Sequence, residues 1–202
     1  MADVAEDKIR CDARIEVPPG DIEIFSVKAL GNLLAAADDS LIPYLAIRAF
    51  VGIRDSEINR MEWRHIKFTD RQIEVPASAA KKTRSRKNLR RLVPLLPNLE
   101  KWLAPFAQSE GKICVYFNSE RAARKLADRI KAKWVHNGLR HGYGTCRVAL
   151  TKNYPQVAYE MGNSVEVIKS CYDQVVSEKE ANAWFSICPK MPGNVIRLAT
   201  AD

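Results

Sequence analysis

The chain has 202 residues, enough for one sizeable domain or two small ones, and its 47% hydrophobic content supports a real core. Its 32 basic against 24 acidic side chains give a net charge of +8. That balance favours a polyanionic partner, nucleic acid before membrane, although on charge alone a basic protein without such a partner is equally compatible. No apolar run reaches the ~18 residues of a membrane span. The start, Met1 to Asp7, is acidic and lacks the apolar core of a signal peptide. The five cysteines are scattered, none in a C-x-x-C pair, and with only three histidines a zinc site is not expected. They read as reduced cytosolic thiols.

Residues 1–24 form a mixed, acid-leaning leader or linker broken by Pro18-Pro19-Gly20, with Ile22 and Ile24 able to pair as a short strand. Ser26 caps a helix that carries Val27, Leu30 and Leu34 on one face. Asp38-Asp39-Ser40 interrupts it. Leu41 to Val51 is apolar nearly all round, with Pro43 tolerated in the first turn, so this helix is predicted to be central and buried. A helix from Asp55 or Ser56 through Met61 follows, with Ile58 and Met61 inward. It places Arg54 at a junction of helices, where a plain surface pairing with Glu57 is the simplest reading.

Ile66 to Phe68, Gln72 to Val75 and Arg91 to Leu95 read as short strands. Between the last two, Lys81 to Arg91 holds seven basic residues and no acidic one. Such runs are usually solvated, but on a hairpin tip Lys81, Lys82, Arg84, Arg86 and Lys87 would seek phosphates. Asn98 to Gln108 is helical, Ile113 to Phe117 strand-like, and Ser119 caps a helix. That helix carries Ala123, Leu126, Ala127 and Ile130 on one side and Arg121, Arg124, Lys125 and Arg129 on the other. The basic stripe is as compatible with solvent as with DNA.

A helix from Gly138, short helices Tyr154 to Met161 and Val165 to Ser170, and an amphipathic helix Glu178 to Ile187 complete the pattern. The last is a candidate for docking on a neighbouring protomer, although packing on its own core is the commoner fate. The tally is a mainly α chain with a small antiparallel β-sheet (α+β). Residues 25–189 form the body, and the tail 190–202 is loosely ordered.

Arg54, Lys82, Arg140 and Tyr172 supply what metal-free cleavage of a phosphodiester requires. Two guanidiniums grip the non-bridging oxygens, an acid serves the leaving oxygen, and a phenol of ordinary pKa about 10 serves as nucleophile if cations surround it. Gly52-Ile53-Arg54 with Glu57 resembles the first arginine box of the tyrosine recombinases, the phage-integrase family. Lys82-Thr83 is similar to that family's hairpin lysine, and Leu139-Arg140-His141 to its second arginine box, H-x-L-R-H. Met161-Gly162-Asn163-Ser164, with Tyr172 nine positions after Asn163, is similar to its final box, L-G-H-S and the tyrosine. The resemblance runs from about Ser26 to Pro189, in order.

The resemblance implies the tyrosine-recombinase catalytic-domain architecture and a site-specific DNA recombinase needing no metal or cofactor. Arg54 and Arg140 would clamp the scissile phosphate, Lys82 protonate the 5′-oxygen, and Tyr172 form a 3′-phosphotyrosyl intermediate. Glu57 and His141 would support them. Double-stranded DNA is the implied partner. The protein would be a monomer when free, a homo-tetramer on DNA, and cytoplasmic with the nucleoid.

Two positions depart from the pattern. Asn137 and Asn163 stand where the family has histidines, and asparagine can donate a hydrogen bond but not relay a proton. Loss of general acid–base help is worth about 10²–10⁴-fold, so a catalytically impaired DNA-binding relative is the alternative. His136 and His141 flank the second box as possible substitutes. Family members also carry an N-terminal DNA-clamping domain, whereas only about 25 residues precede the body here; either that domain has been removed or the protein is short.

Overall fold

The structure, a computed structural model, describes residues 22–79, 90–173 and 175–190. Helix α1, Val27–Ala36, begins where the Ser26 hydroxyl accepts the Ala29 N–H at 3.1 Å, and it buries Leu30, Leu33 and Leu34. Helix α2, Ile42–Phe50, starts with Pro43, whose missing N–H costs nothing in a first turn, and every residue from Pro43 to Phe50 is buried. It is the axis of the molecule, packed by α1, by α3 (Asp55–Ile58), by α4 (Pro97–Leu103) and by α6 (Gly138–Thr151). An apolar helix without a polar face has no stable place except the interior.

Strands β1 (Ile66–Lys67), β2 (Gln72–Val75) and β3 (Arg91–Pro94) form one antiparallel sheet in the order β1-β2-β3. Ile73 pairs with Ile66 on one side and Val93 on the other, so the inward side chains of all three strands share one face. The remaining helices are α5 (Ser119–Arg129), α7 (Tyr154–Met161), α8 (Val165–Tyr172) and α9 (Glu178–Phe185). The fold is therefore mainly α with a small antiparallel sheet.

Several expectations change. Ile22 and Ile24 lie in no strand. Nor do Ile113 to Phe117: Ile113 and Cys114 are buried, but Val115, Tyr116 and Phe117 are all exposed, so the alternation of a strand is absent. The one bridge nearby joins Glu62 to Lys112. Asn118, not Ser119, caps α5. Its Oδ1 accepts the Arg121 N–H at 2.8 Å, while the buried Ser119 hydroxyl donates to Asn59. Helix α3 stops at Ile58, although Met61 is still buried, and α8 continues two residues beyond Ser170 to include Tyr172.

Helix α9 docks on its own domain rather than offering its apolar face to a neighbour. Trp184 is buried, donates its indole N–H to Ala49 O at 2.9 Å, and packs against Gly142 of α6, where any Cβ would collide with the ring. No helix among the described residues is long and apolar enough to cross a membrane.

Candidate active site

Three arginines from three elements meet at the end of α7. A helix leaves its last carbonyls without intrahelical donors, and its dipole makes that end negative. Here those carbonyls belong to the segment Glu160-Met161-Gly162. Arg91 Nε, from β3, donates to Glu160 O at 3.2 Å. Arg140 Nη2, from α6, donates to Met161 O at 2.9 Å, and Arg54 Nη2, from the start of α3, donates to Gly162 O at 2.6 Å. Gly162 has φ of 65°, the left-handed turn that ends α7 and aims its carbonyl at Arg54. A second glycine carbonyl, that of Gly52 at the end of α2, accepts from Arg140 Nη1.

One carboxylate sits among the three. Glu57 is 1% exposed and takes a bidentate pair from Arg91 at 3.0 and 2.6 Å. Its other contacts are to Arg54, through the backbone N–H at 3.1 Å and Nη1 at 3.4 Å. Burial alone would raise the Glu57 carboxyl, but the Arg91 pair and then Arg54 hold it below its ordinary value. Three guanidiniums against one carboxylate leave the cluster with an excess of positive charge. Arg140 is pulled down to about 9, first by its burial and then by the charge of Arg54.

Asn163 lies at the centre. Its Oδ1 accepts from Arg54 Nη2 at 2.6 Å and from Arg140 Nη2 at 3.2 Å, so one neutral oxygen bridges the two guanidiniums. Tyr172, the last residue of α8, is 3% exposed and packs against Gly144 and Met161. Its hydroxyl is 3.0 Å from His141 Nδ1. Burial raises the Tyr172 phenol, and the opposing pull of Arg140 and Arg54 is the smaller effect. Burial and then the Arg140 charge take His141 down to about 4, so its ring is neutral near pH 7 and able to accept from the phenol.

Arg54, Glu57, Arg140, His141, Asn163 and Tyr172 thus converge from α3, α6, α8 and the α7–α8 turn. Asn137 stands apart from the bridging contact. It occupies the left-handed N-cap of α6, with φ of 53°, and its Oδ1 accepts from Arg48 Nη2 at 3.1 Å. Lys81, Lys82, Arg84, Arg86 and Lys87 lie outside the described residues. Arg121, Arg124 and Lys125 are exposed on α5 and border a surface depression shared with His136, the neighbour of Asn137. Among the described residues no group of His, Cys, Asp or Glu is arranged to hold a metal ion.

Sequence reasoning missed Arg91 and Arg48. Arg91 reads as the last cation of a solvated run, yet it alternates with Val93 on the inward face of β3. Arg48 is the lone charge in a helix otherwise apolar all round, and a charge in such a helix needs a partner.

No protein-family model matches the chain, and no curated protein matches it. Several solved structures are similar in fold, including these two. A XerA recombinase superposes with a TM-score of 0.61 at 16% identity, over 79% of this chain and 63% of that one. An integrase from mycobacterium phage Brujita gives a TM-score of 0.59 at 16% identity, over 91% of this chain. The chain spans 63% of the length of each. Helices and sheet thus have the arrangement of a tyrosine-recombinase or integrase-like fold.

Proposed function

We propose that the protein cuts and rejoins DNA through Tyr172, as the catalytic body of a site-specific recombinase spanning residues 25–189. The observation that carries this reading is the excess of positive charge around Asn163 Oδ1, with Tyr172 near enough to feel Arg140 and Arg54 and its hydroxyl on His141 Nδ1. An oxygen already bridges Arg54 and Arg140, which is the position a non-bridging phosphate oxygen would take with a full charge to offer. A phosphodiester there offsets the Arg54–Arg140 repulsion, which after burial is the next cause of the lowered Arg140 value.

In the reaction, the Tyr172 oxygen attacks phosphorus, its proton leaving toward His141 Nδ1. The bond from phosphorus to the 5′-oxygen breaks and a 3′-phosphotyrosyl ester forms. The 5′-oxygen takes a proton, for which Lys82 is the donor by position. Attack by a 5′-hydroxyl on the ester reverses the step, so neither metal nor ATP enters the balance. Arg91 and Glu57 act through Arg54, fixing its guanidinium. Double-stranded DNA is held by the α5 cations and the 81–87 run, and exchange of strands requires four protomers on two duplexes. The setting is the cytoplasm, on the nucleoid.

A DNA-binding relative without chemistry is the competing reading, favoured by the burial of Tyr172 and by asparagine at positions 137 and 163. Strand cutting requires the phenol to turn outward onto the bound phosphate. Incubation with a randomised pool of nicked duplexes separates the two readings. Cutting predicts a protein–DNA adduct that survives denaturation and is lost in Tyr172→Phe. Salt-sensitive binding with no adduct supports the competing reading.

A further inference from the structure

The Asn137 contact carries an inference beyond the reaction itself. Arg48 is buried in α2, with a side-chain exposure of 3%. Its Nη1 donates to the Tyr44 hydroxyl at 3.3 Å and lies 3.6 Å from Asp55 Oδ1, which the same hydroxyl binds at 2.7 Å. Its Nη2 donates to Asn137 Oδ1 at 3.1 Å. Its Nε is buried without a hydrogen-bond partner among the described residues. The guanidinium is therefore held in α2 by the Tyr44–Asp55 pair, with one end committed to position 137.

A guanidinium has donors and no acceptor. The carboxamide of Asn137 must turn its oxygen to Arg48, and only its two N–H donors remain for anything else. Asn137 sits in the left-handed cap of α6, and its main-chain carbonyl accepts the His141 N–H at 2.9 Å. Three residues on, Arg140 reaches Gly52 just after the same α2. The first turn of α6 thus leans on α2 through Asn137 at Arg48, and on the segment just after α2 through Arg140 at Gly52.

We propose that Arg48 is a positioning residue that holds Asn137 by its oxygen, so that position 137 gives the bound phosphate a neutral N–H donor in place of an acid–base group. The inference rests on the strand-cutting reading for its kinetic readout, but the donor itself acts on phosphate binding as well. It also explains how a site with asparagine at 137 can work. The proton traffic lies at Tyr172 and His141, and position 137 contributes only electrostatic support. A histidine placed at 137 would meet Arg48 with an acceptor nitrogen, stay neutral, and offer the same outward N–H.

The test compares Asn137→His, Asn137→Asp and Arg48→Met with the wild type on the randomised nicked duplex pool. Adduct rate, binding by anisotropy and thermal midpoint are read together. The pH profile of the Asn137→His adduct rate is expected to show no new titration between pH 5.5 and 8. Asn137→Asp keeps an oxygen for Arg48, so its midpoint holds, but it removes the donor and lowers the rate by about 10²–10³-fold, the usual loss of one oxyanion donor. Arg48→Met frees the amide to turn and lowers the rate beyond its loss of folded protein; Arg48→Lys, which restores a donor to the Asn137 oxygen, recovers part of it.

A gain of 100-fold or a new titration in Asn137→His overturns the proposal, as does a wild-type rate in Asn137→Asp. If the wild type forms no adduct, the cutting reading fails by itself. In that case DNA binding at least tenfold weaker in Asn137→Asp than in Asn137→His sustains the donor role, and equal binding by all three overturns it.

Discussion

At Tyr172 the local chemistry opposes itself. Burial raises the phenol, while Arg140 and Arg54 work against the rise and do not overcome it. A phenolate does not form unaided here, so the 3.0 Å contact with His141 matters. The same burial gives His141 a signature in stability. Its pKa is near 4 in the folded protein, below the ordinary histidine value of about 6.5. The unfolded chain therefore binds more protons between those values, and stability falls as pH drops from about 6.5 to 4. Glu57 and Glu160, both held below their ordinary values, add acid sensitivity lower down, as pH falls from the ordinary carboxylate range through their folded pKa values. His141→Gln is expected to remove only the upper part of the loss. Thermal midpoints of the variant and wild type, measured from pH 7 to 4, should diverge below 6.5. Parallel curves would mean that His141 titrates as a surface residue.

Among the elements, the end of α7 organises the site, because its unpaired carbonyls orient guanidiniums from α3, α6 and β3. Arg91 is the member with the least contact to any reacting group and the most to the frame. Replacing it with Met leaves Glu57 buried with only Arg54, and breaking a buried pair from one side costs about 3–5 kcal/mol. Urea unfolding is expected to show that loss; a loss under 1 kcal/mol would place the pair at the surface. The elements most legible in the sequence were those with a strong period. Helix α2 was predicted from an unbroken apolar run, α1 and α6 from their spacing, and the three strands from alternation. The run 113–117 misled because an apolar stretch does not reveal that three of its side chains face solvent. Arg54, Arg140, Asn163 and Tyr172 were legible through motif spacing. Arg48 and Arg91 were not, since each owes its role to a partner 89 or 34 positions away in the chain.

For the molecule as a whole, the net charge of +8 and the cluster of three guanidiniums on one carboxylate suit the proposed DNA partner. Each phosphate contact contributes about 0.9 to the slope of log affinity against log salt. If Arg121, Arg124 and Lys125 all touch DNA, replacing the three with alanine should flatten that slope by about 2.7. An unchanged slope in anisotropy titrations would make α5 a solvated face. The fold is shared with a recombinase and a phage integrase at 16% identity, which leaves the chemistry to be established by this chain's own residues.

The central claim is that the arginine pair and Tyr172 form one phosphate-cutting centre. It is tested most directly by trapping protein on nicked duplex DNA, digesting the denatured adduct and identifying the linked residue by mass spectrometry. A nucleotide is expected on Tyr172, absent in Tyr172→Phe and strongly reduced in Arg54→Ala and Arg140→Ala. An adduct on another residue, or none from a wild-type protein that binds the same DNA, would contradict it.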